Sequence, residues 1–148
     1  MDELRELYQQ IILEHYRNPR NVGELPDATH KAEGNNPLCG DCLEVALRII
    51  NDHIVDIRFR GKGCAISQAS ASVMTTLLKG KTVKEADELF ERFHRLVTGI
   101  ESPSAQPGTL AAFAGIREFP SRVKCATLAW HTLRAALQNV PEVTTTEE

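Results

Sequence analysis

Cys39, Cys42, Cys64 and Cys125 are the residues of this chain whose chemistry stands out. Cysteine thiolates are soft ligands for metals such as zinc and iron, and they are nucleophiles once deprotonated. Cys39 and Cys42 bound a short loop, Cys64 follows the glycine-rich Gly61-Lys62-Gly63, and Cys125 falls in the first turn expected of the last helix. Two of the thiols therefore lie near helix N-termini, where the positive end of the dipole favours thiolate. Thiols brought from separated parts of a chain are an economical way to build a tetrahedral metal site. Spacing alone points to a four-cysteine zinc site with Cys39 and Cys42 forming a knuckle. Asp41 is the alternative fourth ligand, and its harder, more exchangeable carboxylate suits a site that must release one thiol to react. A purely structural site more often keeps four Cys or His ligands. Both sets stand open at this point.

The remaining candidates are weaker. His15, His30, His53, His94 and His131 have no paired ligand spacing and read as surface or packing residues. Ser67, Ser70 and Ser72 lack the Gly-x-Ser-x-Gly elbow of a hydrolase nucleophile. Gly61-x-Gly63 falls short of a dinucleotide fingerprint. Lys62 and Arg60 stand beside Cys64, where they would favour its thiolate or simply end a solvated strand.

These residues need elements to position them. Apolar spacing predicts a helix over residues 2–17, stopped by Asn18-Pro19. Residues 28–33 read as a polar extended segment, and Gly34-Asn35-Asn36-Pro37 as a loop. Leu43, Val45, Leu47 and Ile49 alternate with more polar residues, as does the stretch 54–60 after Asn51-Asp52. That pattern predicts an antiparallel hairpin, with 28–33 as a third strand. Ile66, Ala69, Val73 and Leu77 mark a helix up to Gly80, and Thr82-Val-Lys-Glu85 is a capping box opening the next. Phe93 and Trp130 read as core. A Pro/Ser loop, 100–108, and a short segment, 109–114, precede a last helix with Ser121 as its expected N-cap. The fold class expected is α+β: a small three-stranded antiparallel sheet packed against several helices, in a single domain over 1–138. Residues 139–148 are expected to be a disordered tail.

Composition narrows the function. The 148 residues are 42% hydrophobic and 25% charged, near globular averages. A net charge of -3 and a 5% aromatic content supply neither the electrostatics nor the stacking of a nucleic-acid binder. No apolar run approaches the ~20 residues of a membrane helix. Met-Asp-Glu-Leu-Arg is charged from its second residue and does not read as a signal peptide. The expectation is a cytoplasmic protein, without nucleic-acid or membrane partners, whose cysteines are thiols or ligands rather than disulfides.

Three motifs then occur in order: Asn36-Pro37-Leu38-Cys39-Gly40-Asp41, Gly61-Lys62-Gly63-Cys64-Ala65-Ile66-Ser67 and Arg122-Val123-Lys124-Cys125. Together they resemble the metal-site motifs of the IscU/NifU N-terminal family of iron–sulfur cluster assembly proteins, over residues 2–138. The resemblance is strongest to the SufU branch. Cys64 and Cys125 are 61 positions apart, a longer interval than in IscU scaffolds, and Lys124 stands where IscU scaffolds carry a histidine. Arg122 matches the SufU-type arginine. The Leu-Pro-Pro-Val-Lys chaperone segment of IscU scaffolds is replaced by Glu118-Phe119-Pro120-Ser121-Arg122, and Cys42 has no counterpart in the family motif. The resemblance implies that Cys39, Asp41, Cys64 and Cys125 hold Zn2+, and that Cys39 is the sulfur acceptor served by a cysteine desulfurase (SufS/IscS-like). Arg122 would support the site by offsetting its negative charge. The implied activity is at most that of a zinc-dependent sulfurtransferase acting with the desulfurase, with downstream scaffold or carrier proteins as recipients. Two alternatives accompany it: a scaffold building a transient iron–sulfur cluster on Cys39, Cys64 and Cys125, and a structural zinc module using Cys42.

Overall fold

A computed structural model describes residues 2–37, 40–99 and 108–144. Helix α1 (Asp2–Arg17) leads through a turn-rich stretch into strands β1 (His30–Asn36), β2 (Asp41–Ile50) and β3 (His53–Lys62). Helices α2 (Ala65–Leu78) and α3 (Val83–Val97) follow, then the short α4 (Gly108–Ala111) and a 3-10 turn (Ala114–Glu118). Helix α5 (Pro120–Leu137) and a short strand, β4 (Glu142–Thr144), complete the chain. The sheet order is β3-β2-β1-β4.

The alternation read in β2 and β3 sets the layers. Leu43, Val45 and Leu47 of β2 and Ile57 and Phe59 of β3 are buried on the sheet's inner face, against the helices. Ile50 pairs with His53, so Asn51-Asp52 forms a two-residue hairpin turn. Their positive φ angles, 53° and 65°, give that turn the twist that matches the flanking strands. Between Arg48 and Ile49 the register slips by one residue. The resulting bulge lets both Ile54 and Ile57 point inward.

Helices α2 and α5 lie at the centre of the fold. Trp130 of α5 stacks on Phe93 of α3 at 4.8 Å, and Phe93 meets Phe113 edge-on at 5.7 Å. Helix α2 is buried along most of its length by small residues, so its hydroxyls must find partners inside the protein. Ser70 donates to the carbonyl of Ala126 at 2.6 Å and accepts from Trp130 Nε1 at 3.2 Å. Ser72 meets His15 Nδ1 at 2.7 Å and accepts from the Arg20 N–H at 2.9 Å, which fastens α1 to α2. Thr75 donates to the carbonyl of Ser72 at 2.8 Å and accepts from Asn21 Nδ2 at 3.0 Å. The capping box at α3 is present in both directions, and the Thr82 backbone N–H holds the Glu85 carboxyl below its usual range.

The structure corrects several expectations. Strand β1 runs on through Gly34, Asn35 and Asn36 where a loop was expected. Gly34 is required there because a Cβ would overlap the Thr132 hydroxyl of α5, so sheet and helix meet at backbone distance. Residues 142–144 are not a free tail: they pair in parallel with Glu33, Gly34 and Asn35, adding a fourth strand to the three antiparallel ones. Residues 145–148 and the Pro/Ser loop up to residue 107 lie outside the described residues. The N-cap of α5 is Phe119 rather than Ser121, because Pro120 takes the first helical position, where its missing N–H costs nothing.

Candidate metal centre

Three elements converge at one end of the sheet. Asp41 is the first residue of β2 and only 1% exposed. Cys64 is the N-cap of α2. Cys125 is fully buried in α5, one turn deeper than the sequence suggests. One carboxylate oxygen and the two sulfur atoms all lie within 4.8 Å of one another.

Asp41 is held there by local constraints. Its Oδ1 accepts the backbone N–H of Cys64 at 3.0 Å, and its Oδ2 lies 3.8 Å from Cys64 Sγ. The carboxylate thus satisfies a donor at the start of α2 that a capping side chain would normally take. Gly63 makes this possible. A Cβ at position 63 would stand 2.7 Å from Asp41 Oδ1 and 2.9 Å from Cγ. Gly61, at φ 144°, pairs with Leu43 so closely that a Cβ would strike the backbone of Cys42 and Leu43. Both glycines of the Gly61-Lys62-Gly63 motif therefore serve close approach.

Arg122 completes the group. Its side chain is exposed and hydrogen-bonds to the Cys125 and Cys64 sulfurs. The Cys125 hydrogen bond, followed by the charge of Cys64, raises the guanidinium's already high pKa. A cation beside groups able to carry negative charge is favoured in its charged form. Lys124, the residue before Cys125, is half-buried.

The donor set suits a soft divalent cation. Two sulfurs on a tetrahedral zinc with ~2.3 Å bonds sit ~3.8 Å apart, so the observed group needs only a small contraction to close on an ion. Burial of Asp41 and Cys125 limits competition from water. Two thiolates and a carboxylate favour such an ion over magnesium or calcium, which require all-oxygen cages.

The structure brings together Asp41, Cys64, Cys125 and Arg122 from among the residues singled out in the sequence. Cys39 lies outside the described residues. Cys42 does not join the group. It lies within β2 rather than at an element end, one residue beyond Asp41, and so faces the opposite side of the sheet. There it is exposed, paired in register with Asn35 and Lys62. Among the described residues no histidine belongs to the group. His94 and His131 instead pack with Phe90, and Arg134 lies 3.7 Å over the Phe90 ring. Ser67, set aside in the sequence as a nucleophile, has one property that the sequence does not show. Among the described residues the Ser67 hydroxyl, in the first turn of α2, is buried without a hydrogen-bond partner.

The NifU-like N terminal domain matches residues 7–146, so the chain belongs to that family. It is 42% identical over 131 residues to the zinc-dependent sulfurtransferase SufU of Bacillus subtilis, covering 88% of each chain. It is 38% identical over 139 residues to the iron–sulfur cluster assembly scaffold protein IscU of Streptococcus pyogenes serotype M1, covering 93% of this chain and 87% of that one. Among solved structures, the SUF-system protein FiSufU of Fervidobacterium islandicum AW-1 superposes with a TM-score of 0.82. Its identity is 36%, over 86% of this chain and 94% of that one.

Proposed function

We propose that this protein is a zinc-dependent sulfur acceptor in iron–sulfur cluster assembly, taking persulfide sulfur from a cysteine desulfurase. The observation that carries the reading is the buried Asp41–Cys64–Cys125 group with Arg122 bonded to its sulfurs. Likeness to the Bacillus subtilis sulfurtransferase supports the same choice. Asp41, Cys64 and Cys125 would hold the zinc, with Cys39 as fourth ligand. Only two peptide units separate Cys39 from Asp41, a reach of at most about 7 Å.

When bound, zinc keeps its thiols deprotonated at neutral pH and shields them from oxidation. The remaining work falls to the chain. The Cys39 thiolate attacks the terminal sulfur of the desulfurase persulfide. A new S–S bond forms on Cys39 while the bond between that sulfur and the desulfurase cysteine breaks, and the latter leaves as a thiolate. No electron is gained or lost overall. Arg122 offsets the negative charge of three thiolates and a carboxylate, which exceeds that of a dication by two. Asp41 keeps Cys64 fixed through its N–H while remaining the more exchangeable ligand.

The cytoplasm is the setting proposed for this role; among the described residues no helix is long and apolar enough to cross a membrane. Scaffold or carrier proteins would receive the sulfur next. The test is desulfurase turnover with zinc-loaded protein, zinc-stripped protein and Cys39→Ala. Stimulation that needs both zinc and Cys39 is expected. Turnover indifferent to zinc, with a cluster assembling once iron is supplied, would overturn the reading and make the protein a scaffold like its Streptococcus relative.

A further inference from the structure

The sulfur that such a protein receives must be held until it is passed on, and the structure contains a buried donor with no partner among the described residues. Helix α2 buries Ser67, Ser70, Ser72 and Thr75. Ser70, Ser72 and Thr75 are each hydrogen-bonded inside the protein. Ser67 is fully buried and its hydroxyl has no partner among the described residues. An orphaned hydroxyl in a tightly packed helix calls for an explanation, because such groups are rare and costly.

Its position supplies one. Ser67 follows Cys64 by three residues and precedes Ser70 by three, so it lies between them on one face of α2. Both neighbours on that face look toward α5: Cys64 through its approach to Cys125, and Ser70 through the Ala126 carbonyl. Side chains in a helix lean toward its N-terminus, so the Ser67 hydroxyl leans toward the sulfur end of that face. Cys64, as N-cap, accepts no side-chain hydrogen bond from the first N–H groups of α2, and its own N–H donates to Asp41. The end of α2 is therefore left with positive character and a free buried donor.

We propose that Ser67 is a positioning residue for the transferred sulfur. Its hydroxyl donates a hydrogen bond to the terminal, anionic sulfur of the persulfide presented at the Asp41–Cys64–Cys125 group. The hydroxyl keeps its proton and no bond to it is made or broken; it slows loss of the sulfur to stray thiols. This inference rests on the sulfur-acceptor reading above.

The experiment uses the full-length, zinc-loaded protein charged by a cysteine desulfurase and cysteine. The persulfide is then followed by alkylation and intact mass at a fixed thiol concentration. Wild type and Ser67→Ala are expected to take up equal sulfur per zinc. The variant should lose it roughly 10- to 100-fold faster, the loss expected for a hydrogen bond to a charged group. Ser67→Thr, which retains the hydroxyl, should recover the lifetime. Ser70→Ala should melt at a lower temperature while leaving the lifetime unchanged. Equal lifetimes in wild type and Ser67→Ala at equal zinc content would overturn the proposal. So would a Ser67→Ala protein that binds less zinc or melts lower, since the hydroxyl would then serve the fold. Absence of persulfide on wild type would overturn the sulfur-acceptor reading itself, and this proposal with it.

Discussion

Gly63→Ala tests how the site is built without removing any ligand. The backbone at position 63 does not lie in the left-handed region, so alanine meets no conformational penalty there. Its Cβ, however, would approach Asp41 Oδ1 to 2.7 Å, Cγ to 2.9 Å and Cβ to 3.2 Å. Asp41 is 1% exposed and cannot swing into solvent, so its carboxylate must shift within a packed site. The shift breaks the 3.0 Å bond from the Cys64 N–H. A hydrogen bond to a charged group is worth about 1.5–3 kcal/mol, and each ~1.4 kcal/mol is tenfold in affinity. Zinc affinity should fall roughly 10- to 100-fold, measured by competition with a chromophoric chelator. For a chain of this size a loss near 2 kcal/mol lowers the melting temperature by about 5 °C. If alanine acts only through the carboxylate, Asp41→Ala with Gly63→Ala should bind zinc no worse than Asp41→Ala alone. Wild-type affinity in Gly63→Ala, or full additivity in the double variant, would refute the idea that Gly63 exists to admit Asp41.

Two further outcomes follow from the geometry. Cys42 faces solvent on the side of the sheet away from the site, so Cys42→Ser should keep one zinc per chain at wild-type affinity. Maleimide should label Cys42 before the buried Cys125, and a lost zinc in Cys42→Ser would revive the four-cysteine module. His15 is buried against Ser72, and burial first, then Arg20, push its pKa below the ordinary value, with Glu14 opposing them. The unfolded chain therefore takes up a proton near pH 6.5 before the folded one does. The stability that neutral His15 contributes is complete above that pH and declines as pH falls below it. Unfolding free energies measured from pH 7.5 to 5.5 should drop more in wild type than in His15→Gln, and parallel curves would sink this account.

Much of the molecule is legible in the sequence because local and global signals agree there. The alternation through Leu43, Val45 and Leu47, the turn at Asn51-Asp52 and the capping box at Thr82 each specify their element with little help from the rest of the fold. The failures lie where tertiary contacts overrule local preference. Gly34-Asn35-Asn36 has loop composition, yet it forms strand because Gly34 admits Thr132 and Asn36 pairs with Asp41. Strand β4 is three residues long with no period to detect, and it exists only through pairing with β1. The ambiguity between Asp41 and Cys42 has the same origin. Once β2 is known to begin at Asp41, strand geometry sends these neighbours to opposite faces, and only Asp41 shares the inner side with Leu43.

Asp41 also explains why the site and the fold cannot be separated cleanly. Its carboxylate sits among the candidate ligands and satisfies the donor that fixes Cys64 at the start of α2. Removing it would free a coordination position and loosen a thiol at the same time, so Asp41→Ala alone cannot distinguish a lost ligand from a displaced Cys64. Asp41→Asn separates the two roles, because the amide oxygen can still accept the Cys64 N–H while carrying no negative charge. If that hydrogen bond dominates, asparagine should retain the melting temperature of wild type without its metal while binding zinc more weakly. If the carboxylate's charge dominates the local architecture, the metal-free asparagine protein should melt like Asp41→Ala. The second result would mean that the negative charge at position 41 organises the start of α2 before any metal arrives.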